Sequence, residues 1–183
     1  MESLDQLTEG VAIQGLDELR DNLRKVSEDA QGKIMRSAIR KGANVIRDRA
    51  VENARGIDDP KTAESIAENI AVRMDGRHQR RTGEIKYRVG VLGGAKQYAN
   101  TRDNVRRQRV GASYPTLGDK TNPGGDTFYW RFQELGTRHH APKPFLRPAA
   151  EGADSQVLDA IRQSAFKAIT RRIKRRQRLA TRR

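Results

Sequence analysis

The chain has no cysteine among its 183 residues. That removes disulfides, thiolate catalysis and cysteine-built zinc sites, and is compatible with a reducing cytoplasm. Aromatic residues are scarce at 5%, and hydrophobic residues of all kinds reach only 35%, so the core has to be small. No apolar run approaches the roughly 20 residues needed to span a bilayer. The opening Met1-Glu-Ser-Leu-Asp-Gln-Leu-Thr-Glu9 is acidic and lacks the apolar segment of a secretory signal. Acids are also outnumbered, 23 against 37 Lys and Arg, for a net charge of +14 and a mean hydropathy of −0.87. The imbalance is uneven: residues 1–60 hold 10 basic and 12 acidic groups, so all of the positive excess lies beyond them. Such asymmetry marks a surface for a polyanion or for an acidic protein face.

What apolar character there is concentrates in Phe128-Tyr-Trp-Arg-Phe-Gln-Glu-Leu-Gly-Thr-Arg-His-His-Ala-Pro-Lys-Pro-Phe-Leu-Arg-Pro148. This stretch holds the only Trp and three of the six prolines. Phe128, Trp130 and Phe132 alternate with Tyr129, Arg131 and Gln133, a period of two that predicts a half-buried strand over 128–135. Gly136 ends it, because glycine adopts positive φ without a Cβ clash. Pro142 and Pro144 stiffen an extended arm, and Pro148 sits where a first-turn helix proline would.

Elsewhere the pattern is mostly helical. A short strand near Val11 and Ile13 precedes an amphipathic helix on Leu16, Leu19, Leu23 and Val26. Residues 29–55 give the clearest helix, with Met35, Ala38, Ile39, Gly42, Val45, Ile46 and Ala50 on one stripe. Gly42 within that stripe implies a close neighbour, since glycine there costs about 1 kcal/mol against alanine. Ile57-Asp-Asp-Pro60 is a break. Ser65–Arg73 fits either a short helix or a strand. Asp75–Glu84 reads as a turn with a basic tip. Tyr87, Val89 and Val91 alternate as a strand, ended by Gly93-Gly94. Residues 95–127, rich in Gly, Pro and Arg, read as a mobile loop inserted between hairpin strands 86–92 and 128–135. A last helix runs from Pro148, with Leu158, Ile161, Ala165, Ala168 and Ile169 on its stripe. It ends in Arg171–Arg183, where eight of thirteen residues are basic and none acidic.

Chemical constellations are thin. His139 and His140 are adjacent, so they point apart on any regular element; a polar turn fits them better than a metal site. No nucleophile–base set, phosphate loop or carboxylate pair has the strand–turn–helix context that chemistry requires. An enzyme is not expected, and no cofactor or metal is implied. Glu134 falls on the apolar face of the expected strand and needs either backbone N–H donors, such as those of Thr137 or Arg138, or an Arg of a neighbouring subunit. The aromatic face reads as core, with base stacking as its rival. Arg171, Arg172, Lys174, Arg175, Arg176 and Arg178 suit phosphate contacts or an acidic partner. Arg106, Arg107 and Arg109 arm the inserted loop. Phe145 and Leu146, bracketed by Lys143 and Arg147, have the form of a small anchor with a charged rim, or else cap the sheet of their own subunit.

Tyr129-Trp130-Arg131-Phe132, Glu134-Leu135-Gly136-Thr137 and Ala141-Pro142-Lys143-Pro144-Phe145-Leu146-Arg147-Pro148-Ala149 together resemble the gene-ten-like tail-component family of tailed bacteriophages. The resemblance implies a structural virion protein of the neck or tail, acting in tail completion and head–tail joining. It implies a homo-oligomeric ring, a hexamer, that meets neck and tail-tube proteins and surrounds the passing DNA. The virion would be its destination and the host cytoplasm its place of assembly. The competing class is a basic nucleic-acid-binding protein. The expected fold is α+β: a small antiparallel sheet of three or four strands packed on one long helix, with a C-terminal helix. One domain over residues 1–170 carries the 95–127 loop, and 171–183 forms a basic tail.

Overall fold

The computed structural model describes residues 28–58 and 64–180. The strand and helix expected over residues 11–26 lie outside the described residues. Within them the chain is α+β, with two long helices and two small antiparallel sheets.

Helix α1 spans Glu28–Arg55, close to the expected 29–55. Its buried positions recur every fourth residue: Ala30, Ile34, Ala38 and Gly42, then Ala50 and Ala54. Five of these six are Ala or Gly, so a partner helix can approach closely along the whole stripe. Met35, Ile39, Val45 and Ile46 flank it, half-buried. The partner over the first half is the C-terminal helix α6, Asp154–Ala180, which runs back along α1. Ala165 and Ile169 pack on Ala30, Ile34 and Ala38, with Ile161, Phe166, Ala168 and Ile173 around them. A Cβ on Gly42 would stand 2.7 Å from Ile161 Cγ1 and 3.1 Å from Val157 Cγ1, which is the close neighbour the sequence implied. Leu158, expected on the stripe, is exposed.

The second half of α1 carries the other core cluster: Ala50, Ala54, Ile66, Ala67, Ile70, Phe145 and Ala149. A 3₁₀ turn, Ala67–Asn69, leads into β1, Ile70–Met74. So Ser65–Arg73 is half turn and half strand. β1 pairs with β2, Tyr87–Val91, with Ile70 opposite Val91, Val72 opposite Val89 and Met74 opposite Tyr87. The Tyr87 hydroxyl donates to the Arg36 carbonyl at 3.0 Å and ties this sheet to α1. Between the strands lies α2, Gly76–Thr82, where a turn was expected. Asp75 caps it by accepting from His78 N–H at 3.0 Å, and Gly83 closes it at φ +78°.

Residues 95–127 contain regular structure. β3, Gly94–Gln97, pairs with β4, Ser113–Thr116, and α3, Arg102–Arg106, lies between them. β2 ends ahead of Gly93-Gly94 as expected, and Gly94 also begins the next strand. The single sheet of three or four strands is in fact two sheets of two.

The largest departure is at 128–135. The expected strand is helix α4, Trp130–Leu135. The segment joins neither sheet, β2 pairing with β1 and β3 with β4. Its N–H groups are satisfied locally instead, Trp130 to the Thr127 carbonyl and Phe132 to that of Tyr129. Over five residues a period of two and a helical period place nearly the same side chains together. The helix turns Phe128 and Phe132 outward and leaves Tyr129 and Trp130 against the core. Finally, the helix expected from Pro148 is divided. α5, Leu146–Ala150, is followed by Gly152 at φ +66° and only then by α6.

Candidate assembly surface

The stretch from Gly136 to Arg147 is held at both ends. Gly136 takes φ +73°, and a Cβ there would meet the Pro142 ring at 2.9 Å, so the chain folds straight back over it. Thr137 N–H donates to the His140 carbonyl at 2.9 Å, closing a tight loop, and Lys143 N–H reaches the Gln133 carbonyl at 2.7 Å. Pro142, Lys143 and Pro144 then run exposed to the start of α5.

Glu134 fastens that start. Its carboxylate accepts from Phe145 N–H at 2.7 Å, Leu146 N–H at 2.9 Å and Arg147 N–H at 3.0 Å. A helix start leaves its first amides without intrahelical partners, and a carboxylate there satisfies them and faces the positive end of the helix. Backbone amides were the expected partners, but the donors lie eleven to thirteen residues on, rather than at Thr137 or Arg138. Asn53 Nδ2 donates to the Phe145 carbonyl at 3.1 Å. Phe145 itself is fully buried against Ala50, Ala54, Ile66 and Ala149, the largest wholly buried side chain in the described residues. Phe145 thus sits inside its own subunit, with Leu146 half-buried beside it and Arg147 exposed.

The apolar side chains that do face outward are on α4 and its lead-in. Phe128, in the turn before α4, and Phe132 and Leu135 on it have the spacing i, i+4 and i+7 and are 52%, 50% and 60% exposed. Arg131 is exposed beside them.

A second arm is the β3–β4 hairpin. Tyr98 and Tyr114 stack with ring centroids 4.6 Å apart, and the Arg109 guanidinium lies 4.4 Å above Tyr98. Arg109 Nε also donates to Asn104 Oδ1 at 2.8 Å, while Asn104 Nδ2 holds the Ala99 carbonyl at 2.8 Å. So Arg109 is spent inside the arm, whereas Arg106 and Arg107 are exposed on it, with Val105 and Val110 also outward. The segment after β4 is anchored by a residue the sequence did not single out. Asn69, wholly buried, donates from Nδ2 to the Gly125 carbonyl and Thr127 Oγ1 and accepts from Gly124 N–H, at 2.8–2.9 Å. Asp58 was also missed; it accepts from Ser65 Oγ and from Ile66 and Ala67 N–H at 2.8–3.1 Å. Neither residue carries a spacing signal, because each acts on backbone brought to it by the fold.

The comparison that decides the family covers much of this surface. The family described as "Bacteriophage HK97-gp10, putative tail-component" matches residues 17–136, 120 of the 183. The chain belongs to this phage tail-component family. The match takes in α1, both sheets and α4, and ends at Gly136. The arm, Phe145 and α6 lie beyond it. Comparison with curated proteins gives no match, and comparison with solved structures gives none.

Of the expected contact residues, Glu134, Phe145, Leu146 and Arg147 come together at the start of α5; Arg106, Arg107 and Arg109 share the hairpin arm. Arg171, Arg172, Lys174, Arg175 and Arg178 are exposed on the last turns of α6, and Arg176 lies on the same turns. His139 and His140 sit in the exposed loop after α4. Among the described residues no group of three or more His, Asp or Glu is placed to hold a metal, and no helix is long and apolar enough to cross a membrane.

Proposed function

We propose that this tail component is a structural virion protein that completes the tail at its head-proximal end by assembling as a ring of identical copies. Membership of the tail-component family supports a structural role rather than a catalytic one. The observation that carries the ring is the Phe128, Phe132 and Leu135 face. A chain with only four Phe leaves two of them half-exposed, on α4 and in the turn that leads into it, inside the family-matched residues. A contiguous apolar face of that kind marks a contact with another protein. A ring needs two different patches, one on each side of the subunit; Val105 and Val110 on the hairpin arm supply apolar character on a separate element. Neck and tail-tube proteins are the further partners that such a ring would join.

The test is the mass in solution. Light scattering after size exclusion should give a discrete multiple of the 20.6 kDa chain. Phe132→Ser combined with Leu135→Ser should give a folded monomer and phage whose heads and tails do not join. A discrete ring from that variant, or a monomer from the parent at all concentrations, would remove the reading.

A further inference from the structure

The solvent face of α6 has a composition that ring assembly does not use. At 3.6 residues per turn, Lys167, Arg171, Lys174, Arg175 and Arg178 fall within an arc of about 100°, along about 16 Å of helix. All five are exposed. None forms an ion pair with another described residue, whereas Arg162, nearer the start of α6, pairs with Asp159. The two acids of α6, Asp154 and Asp159, precede the stripe by two turns or more and lie off its arc. Ile161, Ala165, Ile169 and Ile173 occupy the opposite face and are already packed on α1.

We propose that this stripe is a docking face for the phosphate backbone of duplex nucleic acid, bound without regard to sequence. Three features favour that occupant over others. A lipid surface would need an apolar face free to enter the headgroup region, and along the stripe the apolar face of α6, Ile161 to Ile173, is packed on α1. A protein partner is gripped through a buried apolar or aromatic centre, and this arc contains only cations and their aliphatic stems. A duplex presents a charge about every 1.7 Å of its axis, so each of the five cations can find a phosphate along the same length. Four of the six basic residues in the last turns fall on this one arc.

The experiment uses the full chain and a fluorescein-labelled duplex of about 20 bp, with anisotropy followed from about 50 to about 300 mM NaCl. The logarithm of the binding constant should fall linearly with the logarithm of salt, with a slope near −4, as about 0.9 per phosphate contact predicts. Arg171→Gln, Lys174→Gln, Arg175→Gln and Arg178→Gln together should weaken binding at least tenfold and flatten the slope by roughly 3 to 4. Relieving like charges at i, i+4 favours the helix, and circular dichroism checks that it persists. Should the fourfold variant unfold, removal of the charges two at a time should lower the slope by about 2 per pair. The control removes the same charge elsewhere, through Arg77→Gln, Arg80→Gln, Arg81→Gln and Lys86→Gln, and should leave both quantities nearly unchanged. An equal loss from the control would show that net charge alone binds the duplex and would overturn the assignment. So would an absence of duplex binding at low salt. Tighter, stripe-dependent binding of poly-glutamate than of the duplex would give the face to an acidic protein instead. None of these outcomes depends on whether rings form.

Discussion

Removing the Glu134 carboxylate tests the joint between the family-matched body and everything after it. In Glu134→Ala the three amides of Phe145, Leu146 and Arg147 lose their acceptor. Hydrogen bonds to a charged group contribute about 1.5–3 kcal/mol each when fully dry, whereas a helix cap is worth about 0.5–2 kcal/mol. Leu146 and Arg147 are near enough to solvent for water to replace part of the loss, but Phe145 N–H is buried with its ring. The expected cost is therefore about 2–4 kcal/mol, a fall in melting temperature of roughly 4–16 °C for a chain of this length. Glu134→Gln is the sharper probe. The amide keeps one acceptor oxygen but turns an NH₂ toward donors that need an acceptor, so it should lose more than half of what Ala loses. Thermal melts of both variants by circular dichroism, at a concentration where subunits are separate, give the numbers. A Gln variant that melts within about 1 °C of the parent yet fails to assemble would refute the cap. It would instead give Glu134 to an arginine of a neighbouring subunit.

Phe145→Ala should destabilise the chain by about 3–5 kcal/mol, read as an early melt, because its ring fills the space between α1, the 3₁₀ turn and α5. Asn69→Asp should cost about 2–4 kcal/mol and free the segment around Gly124–Thr127, since a carboxylate can accept from Gly124 but cannot donate to Gly125 or Thr127; hydrogen exchange at Gly124 reads it directly. The cap of α2 should be acid-sensitive. The His78 N–H first, and then the Arg88 guanidinium, hold the Asp75 carboxyl below its usual 3.8 against an opposing desolvation. Its contribution is therefore fully present above that value and is lost as pH falls through the lowered folded one; NMR of residues 76–82 should show the helix fraying there, and Asp75→Asn should abolish that acid step. Limited proteolysis should cut first near Arg106 and Arg107, on exposed α3, and protection of both sites in the isolated chain would show that the arm is more tightly held than its surface exposure implies.

What was legible in the sequence depended on how long each pattern ran. α1 could be placed almost to the residue because its small-residue stripe repeats over seven turns, far more than chance alternation can imitate. The strand at 87–91 was found because Tyr87, Val89 and Val91 alternate with Arg88 and Gly90 and end at two glycines. The segment 128–135 failed for the opposite reason. Its alternation is only five residues long, and Phe128 with Phe132 satisfies a helical step of four as well as a strand step of two. The decision is made by hydrogen bonding: the Trp130 and Phe132 N–H groups close on the Thr127 and Tyr129 carbonyls, so the backbone is satisfied within the segment and becomes helical. That outcome reverses which aromatics are core. Phe128 and Phe132 move from the inferred interior to the surface, while Phe145, read as a candidate anchor for a neighbour, moves inside.

The same reversal explains where assembly can occur. A core this small has room for one large aromatic between α1 and α5, and Phe145 takes it, held in place by the backbone bonds to Glu134 and Asn53. Glu134 and Trp130, four residues apart on α4, face inward, and Phe132 on the helix and Phe128 in the turn before it are left outside. Glu134 and the exposed stripe are thus two faces of one short helix. A change that loosens the cap should also disorder the stripe, so assembly and stability should fall together in Glu134→Ala, whereas Phe132→Ser with Leu135→Ser should remove assembly alone. Equal stability loss in both variants would mean that the stripe belongs to the fold and not to a partner.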